Sequence, residues 1–577
     1  MNTNLHGKLI CCLVMLLALN TVQAQIKGNP RMKKTPSAQP AASKSFSPLS
    51  KDLISLYQSR NPRTMARTAK PVFQNNGLNK FIRITGDRVL LDVTVRGDEQ
   101  KAKSDLQKLG FITSAVYGKI ISGSLPINTL PQLETSASLK FARPAYKPLR
   151  VSQPFHDQTT SGHNSKPSPV ISQGDTAQRS FIARKKYHVD GKGVKVGVMS
   201  DSYNSLGGAA KGVSGGELPG PGNPFNYKKP VQIIKDDSSG TDEGRAMAEI
   251  VHDVAPGAEL AFSTANGGQA AFAQNIVNLS NVGCKVITDD VIYFAEPFFQ
   301  DGIIAQAVDR VKKRGVSYFS AAGNTSVRSY ESAYRPTKFA PFGPDAGTAH
   351  NFSGAGDPPR YFQPIFIPSG STFITSFQWD QPFYSASNGE DSATTDFDIY
   401  LLNDTGAIVA AGGSDNLASG DPIELFGYQN TDTVNQTFYL AILKFTGPDV
   451  SRLKYIFYGD GAFYLTNPSI PGILAPALVG HAKADGAIAT GAAFYLQTPA
   501  YGTDTAVIES YSSVGGVANY FTASGQRISP LVRKKPEIVA PDGVNTSFFD
   551  PFGNGDISED SDKYPNFFGT SAAAPHA

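Results

Sequence analysis

Four short segments carry side chains whose types and neighbours suit nucleophilic chemistry. Near the C-terminus, Phe568-Gly569-Thr570-Ser571-Ala572-Ala573-Ala574-Pro575-His576 sets a serine between Gly-Thr and a run of small residues. A nucleophilic serine at a helix start needs this setting. Glycine permits the tight turn, small neighbours let backbone amides approach a substrate, and the helix dipole favours developing negative charge. Taken alone, the same run also describes an ordinary helix N-cap. Asp201 stands one step beyond the apolar run Val196-Gly197-Val198-Met199-Ser200. Glu243 is followed at 4, 7 and 11 residues by Met247, Ile250 and Val254, so in a helix the carboxylate shares the apolar face. In Ser320-Ala321-Ala322-Gly323-Asn324, a side-chain amide closes a strand-like segment.

The elements that must hold these residues alternate in type. Val194 to Ser200, Glu259 to Ser263, Lys285 to Ile292 and Val316 to Ala322 read as short buried strands; Glu243 to Val254, Gln269 to Val282 and Asp301 to Arg314 read as helices. That rhythm predicts an α/β fold with a doubly wound parallel sheet, whose ligands bind beyond the carboxyl ends of the strands, where Asp201 and Asn324 stand. The rhythm stops after Asn324 and resumes near Pro476. Between them, Tyr361 to Ile367, Thr372 to Gln378, Phe397 to Leu402, Ala407 to Ala411 and Thr437 to Lys444 alternate between Gly, Asn, Asp and Pro turns, predicting a β-sandwich inserted over 329–475. The α/β domain is thus expected in two parts, 179–328 and 476–577. Upstream, 80–150 reads as a small α+β unit: strand Val89 to Val95, helix Asp98 to Leu109, strand Phe111 to Tyr117, strand Ile120 to Leu125 and a short helix near Leu130.

The chain has 577 residues, too many for one small binding module. Its 53 Lys plus Arg against 49 Asp plus Glu leave a net +4, too dilute to point to nucleic acid or a membrane surface. Lys8 precedes an apolar run from Leu9 to Leu19 and a small-residue site at Val22-Gln23-Ala24, so 1–24 reads as a secretory signal peptide and the protein as secreted or extracytoplasmic. The apolar run is too short for stable membrane insertion, which takes about 20 residues. Once the signal is removed, Cys284 is the one cysteine left, and the exported fold must stand without an internal disulfide. Residues 25–79 are expected to form a flexible leader, and 151–178 a polar, Pro-containing linker open to proteolysis.

In combination, the order Asp201, Glu243 at a helix start, Ala-Ala-Gly-Asn324 and Gly-Thr-Ser571-x-Ala-Ala-Pro resembles the subtilisin-like serine proteases and their sedolisin (serine-carboxyl peptidase) relatives, over about 190–326 and 476–577. Ala255-Pro256-Gly257-Ala258, Gly486 to Ala492 and Lys535-Pro536-Glu537-Ile538-Val539-Ala540-Pro541 add to the likeness. Where subtilisins carry the histidine of a His-Gly-Thr motif, this chain has Glu243-Gly244-Arg245. His252, nine residues on and about 180° around the helix, is expected at the surface or as a cap. Sedolisins use a glutamate base but pair it with an aspartate four residues later, where this chain has Met247, and they place an aspartate where it has Asn324. The resemblance therefore implies a hybrid site. Ser571 is the nucleophile, Glu243 the base, Asp201 the carboxylate that shares its proton, and Asn324 with the Ser571 amide the oxyanion donors.

The implied activity is secreted, acid-active endopeptidase cleavage of protein or peptide substrates. The rival reading is an inactive scaffold of the same fold acting as an extracellular binding protein. By the same resemblance, 80–150 stands where such enzymes carry an intramolecular propeptide, with a permanent accessory domain as the alternative. Asp289 and Asp290 fall where these enzymes place a wall of the substrate cleft. One of them is expected to join the carboxylates or select basic side chains, or else both are plain capping acids. No cofactor or metal site is expected. Calcium is left open, with Asp396 and Asp398 on one strand face too few for a cage. The helix that Ser571 opens has only six further residues before Ala577, so a C-terminal truncation is expected.

Overall fold

The computed structural model describes residues 47–60, 77–148, 170–459, 463–464, 470–549, 560 and 562–577. The segment expected as a signal peptide, residues 25–46 and 61–76 of the expected leader, and residues 151–169 of the expected linker lie outside the described residues.

The N-terminal unit opens with helix α1 (Lys51–Arg60). A five-stranded antiparallel sheet follows, in which the short strand Ile84–Thr85 pairs with β1 (Arg88–Val95), and β1, β2 (Ile112–Tyr117), β3 (Ile120–Pro126) and β4 (Leu139–Pro144) run in the order β4-β1-β3-β2. Helix α2 (Glu99–Lys108) joins β1 to β2. It starts where Asp98 accepts from the amides of Gln100 (2.7 Å) and Lys101 (3.1 Å), an N-cap of the ordinary kind. The short helix expected near Leu130 is a 3₁₀ stretch over Ile127–Thr135 that buries Ile127, Leu130 and Leu133.

The central body begins with β5 (Lys195–Ser200), β6 (Gln232–Lys235), α3 (Glu243–Val254), β7 (Glu259–Thr264), α4 (Gln269–Asn281), β8 (Val286–Asp289), α5 (Ile303–Lys312) and β9 (Ser317–Ala321). Two antiparallel sheets then interrupt it. Their strands are β10 (Ser329–Ala333), β11 (Gln363–Ile367), β12 (Thr372–Trp379), β13 (Asp396–Leu402), β14 (Ile408–Gly412), β15 (Ile423–Gln429), β16 (Gln436–Thr446) and β17 (Arg452–Tyr458). The orders β10-β17-β12-β15 and β14-β13-β16-β11 face one aromatic core that holds Tyr330, Phe377, Trp379, Phe397 and Tyr455. The body resumes with β18 (Ala487–Phe494), β19 (Ile538–Asp542) and helix α6 (Thr570–His576).

The seven body strands form one parallel sheet in the order β19-β18-β9-β8-β5-β7-β6. Runs such as Val196-Gly197-Val198-Met199 suit strands covered on both faces. Ile287 is buried with Phe272 and Ile276 of α4 and Ile304 and Val308 of α5 in one interior, while Val198 and Phe262 are buried with Met247 and Ile250 of α3 in another. The fold is therefore mixed α/β, with one parallel sheet beside several antiparallel ones.

Candidate active site

Three neighbouring strands bring their carboxyl ends to one edge. Met199 of β5 pairs with Asp289 of β8, and Asp289 with Ser320 of β9, so the residues that follow each strand emerge side by side: Asp201, Asp290 and Asn324. Helices α3 and α6 pack against each other, and α6 also lies on β8, β9, β18 and β19. Ala572, Ala573 and Ala574 are buried, and their small side chains let this helix sit close over the sheet.

Asp201 is buried and organises the start of α3. Its Oδ1 accepts from the amides of Ser202 (2.5 Å) and Glu243 (3.1 Å), while Oδ2 accepts from the Thr241 amide (2.6 Å) and hydroxyl (2.8 Å). Asp242, in a left-handed conformation (φ 62°), adds a second clasp. It accepts from the Ser202 hydroxyl (2.8 Å), the Ser205 amide (2.7 Å) and the Arg245 guanidinium (3.1 Å). The backbone that presents Glu243 is thus fixed from both sides.

Glu243 is itself buried, and the Asp290 carboxyl faces it together with the Ser200 hydroxyl. Burial, and then the charge of Glu243, push the Asp290 carboxyl well above the usual carboxylate range. A proton held between two such carboxyls avoids two adjacent buried charges. Sequence reasoning assigned the proton-sharing role to Asp201. Here the Asp290 carboxyl stands beside the Glu243 side chain, with the Asp201 charge near enough to raise the Asp290 carboxyl further, and Asp201 also holds the Glu243 amide.

Ser571 is the second residue of α6. Gly569, at φ +114°, makes the turn ahead of it, and a Cβ there would stand 2.8 Å from Asn324 Nδ2. Asn324 Oδ1 accepts from both the Thr570 amide (3.0 Å) and hydroxyl (2.7 Å), and that hydroxyl in turn accepts from the Gly323 amide (3.1 Å). With its oxygen so occupied, the Asn324 amide turns its nitrogen toward Gly569.

Asp542 escaped sequence reasoning, although the segment ending in Pro541 was singled out. Fully buried at the end of β19, it accepts from the Gly569 amide (2.8 Å) and from the Tyr511 hydroxyl. Burial raises its carboxyl to about 7. Asp542 and Asn324 together clamp the turn that leads to Ser571.

Other expected residues lie elsewhere. Asp289 and Asp290 alternate to opposite sides of the strand end, so only Asp290 meets the carboxylates. Asp289 accepts from Ser320 Oγ (3.0 Å) and His481 Nε2 (3.1 Å), and His481 Nδ1 reaches Glu296 at 2.9 Å. Burial opposes charge on His481, but Glu296 and Asp289 outweigh it and raise the imidazole to about 10. His252, expected at the surface or as a cap, is buried edge-on to Tyr227, because α3 is enclosed on all sides from Glu243 to Asp253. Burial lowers it to about 4. Asp396 accepts from the Asn416 amide (3.4 Å) and Asp398 from the Tyr400 hydroxyl (2.7 Å). Among the described residues, no group of His, Cys, Asp and Glu is placed to hold a metal ion, and no helix is long and apolar enough to cross a membrane.

No family model matches the chain, and no curated protein matches its sequence. Solved structures show distant likenesses. The Clostridium perfringens CspB protease is 12% identical, with 69% of this chain and 84% of that chain covered at a TM-score of 0.37. MycP1 with its N-terminal propeptide removed is 12% identical, covering 70% and 82% at a TM-score of 0.26. The S41 psychrophilic protease is 13% identical, covering 71% and 82% at a TM-score of 0.26.

Proposed function

We propose that the protein is a secreted serine endopeptidase of the subtilisin-like and sedolisin-like kind, with a carboxylate pair in place of histidine and an acidic working range. One observation carries the reading: the turn into Ser571 is clamped by Asn324, and the helix it opens packs on the helix that begins with the buried Glu243, whose carboxyl faces Asp290.

In this mechanism, Ser571 Oγ attacks the carbonyl carbon of the scissile peptide bond and Glu243 takes its proton. The carbonyl oxygen becomes an oxyanion that accepts from Asn324 Nδ2 and the Ser571 amide. As the C–N bond breaks, Glu243 returns the proton to the leaving amine, which leaves an acyl group on Ser571. Water then attacks the ester carbonyl and gives its proton to Glu243, which passes it to Ser571 Oγ as the ester bond breaks, releasing the acyl group as a carboxylic acid and restoring the serine. Asp290 keeps a proton beside Glu243 and prevents a doubly charged pair, while Asp201 holds the backbone from which Glu243 projects. The carboxylate pair is competent while it holds one proton. A bell-shaped pH profile with its maximum on the acid side is expected for hydrolysis of a denatured protein between pH 3 and 9. A plateau extending to alkaline pH overturns the carboxylate-base reading.

A further inference from the structure

The N-terminal unit stands where enzymes of the proposed kind carry a propeptide that leaves on activation. Its packing points the other way. Leu53, Leu78 and Leu91 of this unit belong to a single apolar core with Phe294 and Phe298 of the body and Tyr458 of the insert. Phe294 is clasped by aromatic residues of that unit, with Phe81 edge-on at 5.3 Å and Tyr146 at 6.3 Å. Removing the unit would open this core to water on two partners at once, as happens in an obligate interface rather than a transient one.

The polar contacts agree. Arg143 of β4 and Asp421 of the insert form a buried ion pair at 2.5 Å, and Asp421 also accepts from the Ser385 amide at 3.0 Å. Without Arg143, Asp421 would remain buried with its charge uncompensated. Helix α4 begins after Gly268 with no cap of its own, and the N-terminal unit supplies one. Asp92 accepts from the Gln269 amide (3.2 Å), and Ser122 Oγ from that of Ala270 (3.2 Å). The Gly77 amide donates to the Gly427 carbonyl (2.9 Å), continuing the backbone bonding of the insert.

We infer that the N-terminal unit is a permanent part of the folded enzyme: hydrolysis of a peptide bond within 149–169 leaves two chains that remain one body. This rests on the protease reading only for the comparison with a propeptide. The test uses the full chain carrying Ser571→Ala and a recognition sequence for a specific added protease placed within 149–169, so that the cut does not depend on the protein's own activity. After complete cutting, verified on a denaturing gel, both fragments are expected to co-elute at the uncut volume in gel filtration at about 10 nM, in 1 M NaCl as well as in dilute buffer. An N-terminal fragment that elutes by itself overturns the inference and leaves the protease reading standing. In the cut protein, Arg143→Ala is expected to weaken association about 100-fold or more, while Arg60→Ala on α1 leaves it unchanged. An unaltered dissociation constant in Arg143→Ala overturns the role given to the buried ion pair.

Discussion

Ser571→Ala is expected to abolish hydrolysis, lowering kcat by about 10⁶-fold while KM for a peptide substrate stays within a few-fold. The size follows from the site's construction. In the proposed mechanism the backbone clamp, the Asn324 donor and the carboxylate pair all serve a covalent step that begins at one hydroxyl, so without it the other groups have nothing to act on. The fold should not notice the change. The substitution extends the buried Ala572–Ala574 run by one residue, and the clamp acts through Gly569 and Thr570. Unfolding free energies of variant and parent are expected to agree within about 0.5 kcal/mol. Labelling with a fluorophosphonate separates this reading from the inactive scaffold: the parent protein should take up one equivalent and Ser571→Ala none. A parent chain that neither labels nor hydrolyses at any pH from 3 to 9 overturns the enzyme reading.

Much of this architecture is legible in the sequence, for a physical reason. Strands buried on both faces must be apolar throughout, and the helices between them show a helical period. The segments expected at Val194 to Ser200, Glu243 to Val254 and Gln269 to Val282 accordingly fall within about a residue of β5, α3 and α4. Five of the inserted strands, β11 to β14 and β16, are found as readily, because aromatic and β-branched runs between Gly, Asn and Asp turns have few other uses, while β10, β15 and β17 are not read from the sequence. What cannot be read this way is pairing set by register between strands. Asp290 meets Glu243 because β8 lies beside β5, and no local spacing links positions 243 and 290. Asp542 reaches Gly569 by the same kind of long-range placement, across the end of β19. His252 was misplaced because its position on the helix was weighed without the layers that cover α3 on its far side. The shared core of the N-terminal unit escapes for a related reason: Phe294 and Tyr458 read as core residues of their own segments until the fold brings all three together.

The carboxylate pair provides the second large effect. Glu243→Gln removes the base while nearly keeping its shape, and hydrolysis is expected to fall by about 10²–10⁴-fold across the whole pH range. Activity that survives this change assigns the base elsewhere. Asp290→Asn acts differently. A fixed neutral amide beside Glu243 cannot lose a proton, so the acid limb of the profile should remain and the alkaline limb, which reports loss of the shared proton, should disappear. A purely structural role for Asp290 would scale the curve without changing its shape. Stability offers an independent check with a definite sign. The Asp290 carboxyl is raised in the folded protein above its ordinary value of 3.8, so the folded state holds a proton that the unfolded chain releases above about pH 4. The stability contributed by that proton is fully present below pH 4 and declines as the pH rises toward the folded-state value. Asp290→Asn has no such proton to lose. The unfolding midpoint of the variant relative to the parent is therefore expected to rise between pH 4 and pH 8, and a difference that stays flat over this range places Asp290 outside the carboxylate pair.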